Sequence, residues 1–221
     1  MLFQGTVLDP STAASPDGSS NTISMGRANE LLVAELHGKY FEQCYRGNVY
    51  YASTATTGLV IPIASTLTPT YTIWNPAGSG KLCVPIVTLI GWTATTAALG
   101  SYVWTATTKT GDTIGDIAPF TAFTTPSRPI NALLGSGKVT QMRFGNAATT
   151  ITLVAAATFY RETGMQITPT TAATSGVPGW TWRDDWDGSG IIPPGTAIHL
   201  MGSTAIATTV TVTTIYEEIP L

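Results

Sequence analysis

The stretch WNPAGSGKLCV, residues 74–84, decides between two fold classes. Its Gly-Ser-Gly-Lys resembles the end of a phosphate-binding P-loop, which would open a helix at Lys81 and make the chain an α/β nucleotide enzyme. A P-loop needs Gly, four residues, Gly-Lys and then a hydroxyl. That spacing curls backbone N–H groups round phosphate, while the lysine neutralises it and the hydroxyl holds the metal. Here the first glycine position is Asn75 and the hydroxyl position is Leu82. The residues that follow, Leu82-Cys83-Val84-Pro85-Ile86-Val87-Thr88-Leu89-Ile90, are rich in β-branched side chains and carry a proline that a helix interior rejects. The stretch therefore reads as a turn between a strand ending at Trp74 and a strand over 82–90. Pro76 presets φ, the glycines supply positive φ, and Lys81 marks the second strand's solvent end.

Composition points the same way. Of 221 residues only 10% are charged, while threonine supplies roughly forty, far above ordinary usage. Threonine and valine suit pleated, half-buried strands, and the scattered Gly and Pro suit turns, so the expected class is all-β. A net charge of −3 gives no basic field and argues against nucleic acid as a partner. A surface so poor in charge is expected to be covered by neighbouring proteins. Cys44 and Cys83 are too few for a disulfide framework; they read as buried thiols, with a bridge between them as the alternative. The N-terminus lacks the pattern of a secretory signal and no apolar run reaches membrane-spanning length. The expectation is a soluble chain made in a cytoplasm, with no membrane partner.

Along the chain, residues 1–24 read as an irregular arm whose apolar Leu2, Phe3, Val7 and Leu8 would dock on a neighbour. Residues 25–37 read as a helix, with Ala28, Leu31, Leu32 and Leu36 on one face, Ser24 as cap, His37 in the last turn and Gly38 at the stop. The rest, 25–221, is expected to be one domain. Strands are predicted at 40–45, 49–52, 57–65, 70–75, 81–92, 100–107, 117–123, 137–145, 149–160, 191–202 and 204–219. The last is the clearest: Ile206, Val210, Val212 and Tyr216 share one face, and Ala207, Thr209, Thr211 and Thr213 the other. Many short strands without βαβ alternation predict a β-sandwich of jelly-roll type.

Little of the sequence looks catalytic. His199 alternates with Ile198 and Leu200, which predicts a surface-facing or hydrogen-bonded histidine within a strand, and no Gly-x-Ser-x-Gly elbow occurs. No catalytic residue, cofactor or metal is assigned. The polar knot Trp180-Thr181-Trp182-Arg183-Asp184-Asp185-Trp186-Asp187-Gly188-Ser189-Gly190 has three readings. One is a loop pinned by tryptophans with Arg183 paired to an aspartate. The second is a sugar or partner platform of Trp180, Trp182 and Trp186. The third is a calcium loop on Asp185 and Asp187, whose third ligand and glycine fall out of register.

Three stretches, LHGKYFEQCYRGNVYYAS (36–53), YTIWNPAGSGKLCVPIVTLIGW (71–92) and IIPPGTAIHLMGSTAIATTVTVTTIYEEIP (191–220), resemble structural proteins of tailed-bacteriophage virions, of the head-decoration or head-fibre kind. The resemblance implies a β-sandwich that oligomerises, a trimer being favoured, and binds the major capsid protein or other virion proteins. It also implies a hairpin turn at Asn75–Lys81, a late strand beginning at Pro193-Pro194-Gly195, and residence in the virion. It carries over no catalytic residue. The function expected is a capsid decoration (cement) protein; the alternative is a fibre or spike module that recognises carbohydrate or a receptor.

Overall fold

The computed structural model describes residues 38–93, 99–107, 120–124, 126–146, 149–167, 181–206 and 208–221. The expected arm over 1–24 and helix over 25–37 lie outside them. The chain divides into two units, Met1–Arg46 and Gly47–Leu221. In the first, the expected strand over 40–45 is instead a short helix, α1 (Phe41–Tyr45). The reason is local. Arg46 Nε pairs with Glu42 Oε1 at 2.8 Å, four residues back, and the Phe41 and Tyr45 rings stack with centroids 6.1 Å apart. Side chains four apart meet on a helix and not on a strand.

The second unit is built of antiparallel strands, and the all-β expectation holds. They are β1 (Val49–Ser53), β2 (Leu59–Val60), β3 (Tyr71–Asn75), β4 (Lys81–Trp92), β5 (Gly100–Thr107), β6 (Phe120–Thr124), β7 (Ile130–Asn131), β8 (Arg143–Gly145), β9 (Thr150–Leu153), β10 (Thr158–Ile167), β11 (Thr181–Asp185), β12 (Thr196–Gly202) and β13 (Thr209–Pro220). One sheet has the order β11-β4-β13-β1-β7, with β2 also on β13; a second has the order β10-β5-β12-β3-β8; β6 and β9 pair by themselves. β13 alternates as its threonines and valines predict, with Val210, Val212 and Tyr216 buried and Thr209, Thr211 and Thr213 half-buried.

Several boundaries differ from expectation. The run 149–160 is interrupted between β9 and β10, 137–145 is strand only at β8, and 191–202 starts at β12, preceded by an isolated bridge of Ile192 to Cys83. The expected hairpin at 75–81 is a turn but not a hairpin. Ser79 N–H bonds the Pro76 carbonyl at 3.0 Å and Gly80 sits at φ +63, yet β3 belongs to the second sheet and β4 to the first. Asn75 fixes this crossing: its buried side-chain amide donates to the Lys81 and Ile192 carbonyls, both at 2.8 Å.

Side chains from both sheets share one apolar core, with Tyr50, Ile90, Val212 and Tyr216 from the first and Tyr71, Ile73, Trp104, Ile198 and Leu200 from the second. A chain of hydroxyls runs through it. Tyr71 donates to Thr214 Oγ1 at 2.8 Å, Thr214 meets Thr88 at 3.0 Å, and Trp186 Nε1 donates to Thr88 at 3.2 Å. These bonds satisfy polar groups that burial alone would penalise. A smaller core of Phe120, Ile151, Leu153 and Ala197 joins the β6–β9 pair to the second sheet, with Trp74 and Phe123 packed against it.

Candidate functional site

The polar knot keeps the packed tryptophan and the Arg183–aspartate pair of the pinned reading but sets them on a strand instead of a loop, and that difference creates a site. Residues 181–185 are no loop but the edge strand β11, in register with β4 from Thr181↔Gly91 to Asp185↔Val87. β10 lies at the edge of the other sheet. Side chains join these two edges in an antiparallel order. Trp182 Nε1 donates to the Thr163 carbonyl at 3.2 Å, Arg161 Nη2 to Asp184 Oδ1 at 2.5 Å, and Tyr160 stacks on Trp186 with centroids 6.2 Å apart.

Asp184 is the centre of this seam. It is buried, accepts the Trp104 indole N–H at 2.8 Å, and lies within reach of Arg161. Burial pushes its carboxyl above the ordinary value, with Asp185 adding to the rise; the Trp104 bond and the Arg161 charge work against it. The Arg161 guanidinium also rests 4.4 Å over the Trp186 ring and donates to Ser189 Oγ at 3.3 Å. Arg183 pairs with Asp185 at 2.7 Å on the outer side, as the pinned reading expected.

Trp186 is corrected. At 1% exposure it is a core residue, held edge-on by Trp104 at 5.1 Å, and presents no platform. Its neighbour Asp187 takes φ +42 in a tight turn with Gly188 at φ +76. Trp182 is 38% exposed and remains a candidate; Trp180, Leu2, Phe3, Val7 and Leu8 lie outside the described residues. Among the described residues no group of three or more His, Cys, Asp or Glu side chains is placed to hold a metal ion.

Sequence reading missed Phe159, 59% exposed, and Tyr160, 43% exposed. The signal was there. Two adjacent aromatics break the period of two, and the register of β10 on β5 slips between Phe159 and Arg161. Such a bulge turns consecutive side chains outward and re-aims them.

A second surface lies on segment 130–139. Ile130 is 64% and Leu134 81% exposed, with Leu133 and Val139 also exposed, and Ile130 stands opposite exposed Tyr51 across the β1–β7 pairing. Just beyond it, Glu218 is buried and accepts bonds from the Thr140 hydroxyl and the Gln141 N–H, the latter at 2.9 Å, so the segment's C-terminal end is anchored to β13.

The remaining singled-out residues are internal. His199 is fully buried, its Nδ1 2.8 Å from Thr72 Oγ1 and its Nε2 2.9 Å from Thr107 Oγ1. Cys83 is buried and Cys44 half-buried, and no disulfide joins them. Lys81 begins β4, so a strand stands where a P-loop would place its helix. Compared with known proteins, the chain matches no protein family, no curated protein and no solved structure.

Proposed function

We propose that this chain is a structural protein of a tailed-phage virion, a head decoration protein that binds and stabilises the assembled capsid. The observation that carries the reading is the aliphatic surface of segment 130–139. Ile130, Leu133, Leu134 and Val139 stand in water within ten residues, on a chain with only 10% charged residues. Isolated exposed leucines need no explanation, but a cluster of this kind is what a protein partner covers. The resemblance of 36–53, 71–92 and 191–220 to virion proteins supplies the class of partner. In this reading the two sheets pack as a β-sandwich of jelly-roll type around their common core. Copies associate as a trimer, and Leu2, Phe3, Val7 and Leu8 add contacts to neighbouring subunits. Capsid binding stabilises the shell by mass action, since a protein that binds only the assembled form shifts equilibrium toward it.

The test is co-sedimentation of the purified chain with phage capsids, followed by electron microscopy of the decorated particles. The proposal requires lattice-wide occupancy and a marked fall in occupancy for Leu134→Asp. A few copies at one vertex would replace it with a fibre or neck role, and absence from particles would end it.

A further inference from the structure

We infer that the seam between β10 and β11 is a carbohydrate-binding site, shaped for a neutral oligosaccharide whose sugar rings present flat C–H faces. This does not rest on the virion reading. The seam carries two partly exposed aromatic rings that are fixed before any ligand arrives. Trp182 is held by its N–H bond to the Thr163 carbonyl, and Tyr160 lies on Trp186, which Trp104 and Thr88 hold from within. Gly190 leaves room for this stack: a Cβ there would stand 2.8 Å from both the Trp186 ring and the Tyr160 hydroxyl. Large rigid rings with few rotatable bonds lose little entropy on binding.

Geometry selects the occupant. Trp182 meets β10 at Thr163, whereas Tyr160 stacks on Trp186, four residues along the chain from Trp182, so the two platforms lie at opposite ends of the seam. One sugar ring cannot cover both, whereas an extended chain of several sugars can stack a ring on each. Arg161, between Thr163 and Tyr160 on β10, and Ser189 Oγ, to which it donates, are hydrogen-bonding groups of the kind sugar hydroxyls need, and Tyr160 brings its own hydroxyl. This mixture of aromatic and polar groups differs from the aliphatic face at 130–139, which suits protein. Aromatic platforms also stack nucleic-acid bases, but Asp184 and Asp185 occupy Arg161 and Arg183, Asp187 adds a further negative charge, and a net charge of −3 gives no basic field for a phosphate backbone.

The test is calorimetric titration of the full chain with cellotetraose, chitotetraose and maltotetraose, with a thymidine oligonucleotide as competitor class. Indole N–H resonances are followed by NMR in the same titrations. At least one glycan is expected to bind and shift the Trp182 indole signal. Tyr160→Leu, Trp182→Leu and Gly190→Ala should each weaken that binding about tenfold or more, the scale of a lost aromatic anchor. Leu134→Asp should leave it unchanged. Three results overturn the inference: no heat and no indole shift with any glycan up to ~10 mM, the ordinary limit of weak binding; an equal loss in Leu134→Asp; or oligonucleotide binding tighter than any glycan. If the leucine variants fail to fold, the wild-type indole shift decides alone.

Discussion

His199 is the residue whose protonation the fold opposes most clearly. It occupies the middle strand of the second sheet, clamped between Thr72 and Thr107, with Phe120 edge-on at 6.1 Å. Burial holds its imidazole down from the ordinary 6.5 to about 3. Between those values the unfolded chain takes up a proton that the folded chain refuses. The contribution is therefore fully present above about pH 6.5 and is lost progressively as pH falls toward 3. At pH 5 the loss is on the order of 2 kcal/mol. Urea unfolding at neutral pH and at pH 5 should show it, and His199→Gln, which keeps a hydrogen-bonding side chain, should reduce the acid sensitivity by that amount. Equal pH dependence in the two proteins would refute the assignment. Of the two expectations for the imidazole, hydrogen-bonded holds and surface-facing fails, since the ring is fully buried; the strand itself was legible from Ile198-His199-Leu200. What covers the imidazole was not, because Phe120 is some eighty positions away and only tertiary pairing brings it there.

At the scale of elements, two edges and one turn carry the argument. The β10–β11 seam is held by a buried carboxylate, and removing one partner of such a pair leaves the other groups stranded. Asp184→Ala strips Trp104 of its acceptor and Arg161 of its carboxylate partner and is expected to destabilise by about 3 kcal/mol, discounted because Arg161 is partly exposed. Arg183→Ala breaks an exposed pair of similar geometry and should change stability by less than ~1 kcal/mol. Thermal unfolding of the two variants side by side checks this, and equal effects would show that burial does not govern the seam. The turn at 75–81 makes a parallel case. Asn75→Ala removes the amide that ties the Lys81 and Ile192 carbonyls together, while the Ser79 hydroxyl and the Cys83 N–H still reach them, so the expected loss is about 1 kcal/mol. A Tm within error of wild type would mean the crossing is held elsewhere. Turn chemistry was legible in Asn-Pro-Ala-Gly-Ser-Gly, since φ preferences are local. Whether the two flanking strands pair with each other or with distant partners is not local, and so the hairpin was misread. β11 was hidden for a related reason: Trp-Arg-Asp-Asp is poor strand composition, and its pairing with β4 overrides it.

For the molecule as a whole, what matters is which surfaces the fold leaves uncovered. All-β character was legible because threonine content and the alternation in β13 report on burial directly. The order of strands in the sheets was not, because sequence-distant strands such as β4 and β13 form the longest ladder. That order brings Ile130 opposite Tyr51 and leaves Leu133, Leu134 and Val139 in water, a surface no periodicity announces. If a protein partner covers it, charge placed there must damage association and spare the fold, because an exposed side chain contributes little to the core. Leu134→Asp is the sharpest probe, being the most exposed of the group. Its Tm should stay within about 2 °C of wild type, as expected for a stability change under ~0.5 kcal/mol. On the virion proposal, by contrast, its retention on capsids should fall. The two readouts separate the causes. Lost association with an unchanged Tm assigns the face to a partner, lost Tm assigns it to folding, and neither loss removes the observation on which the virion proposal stands.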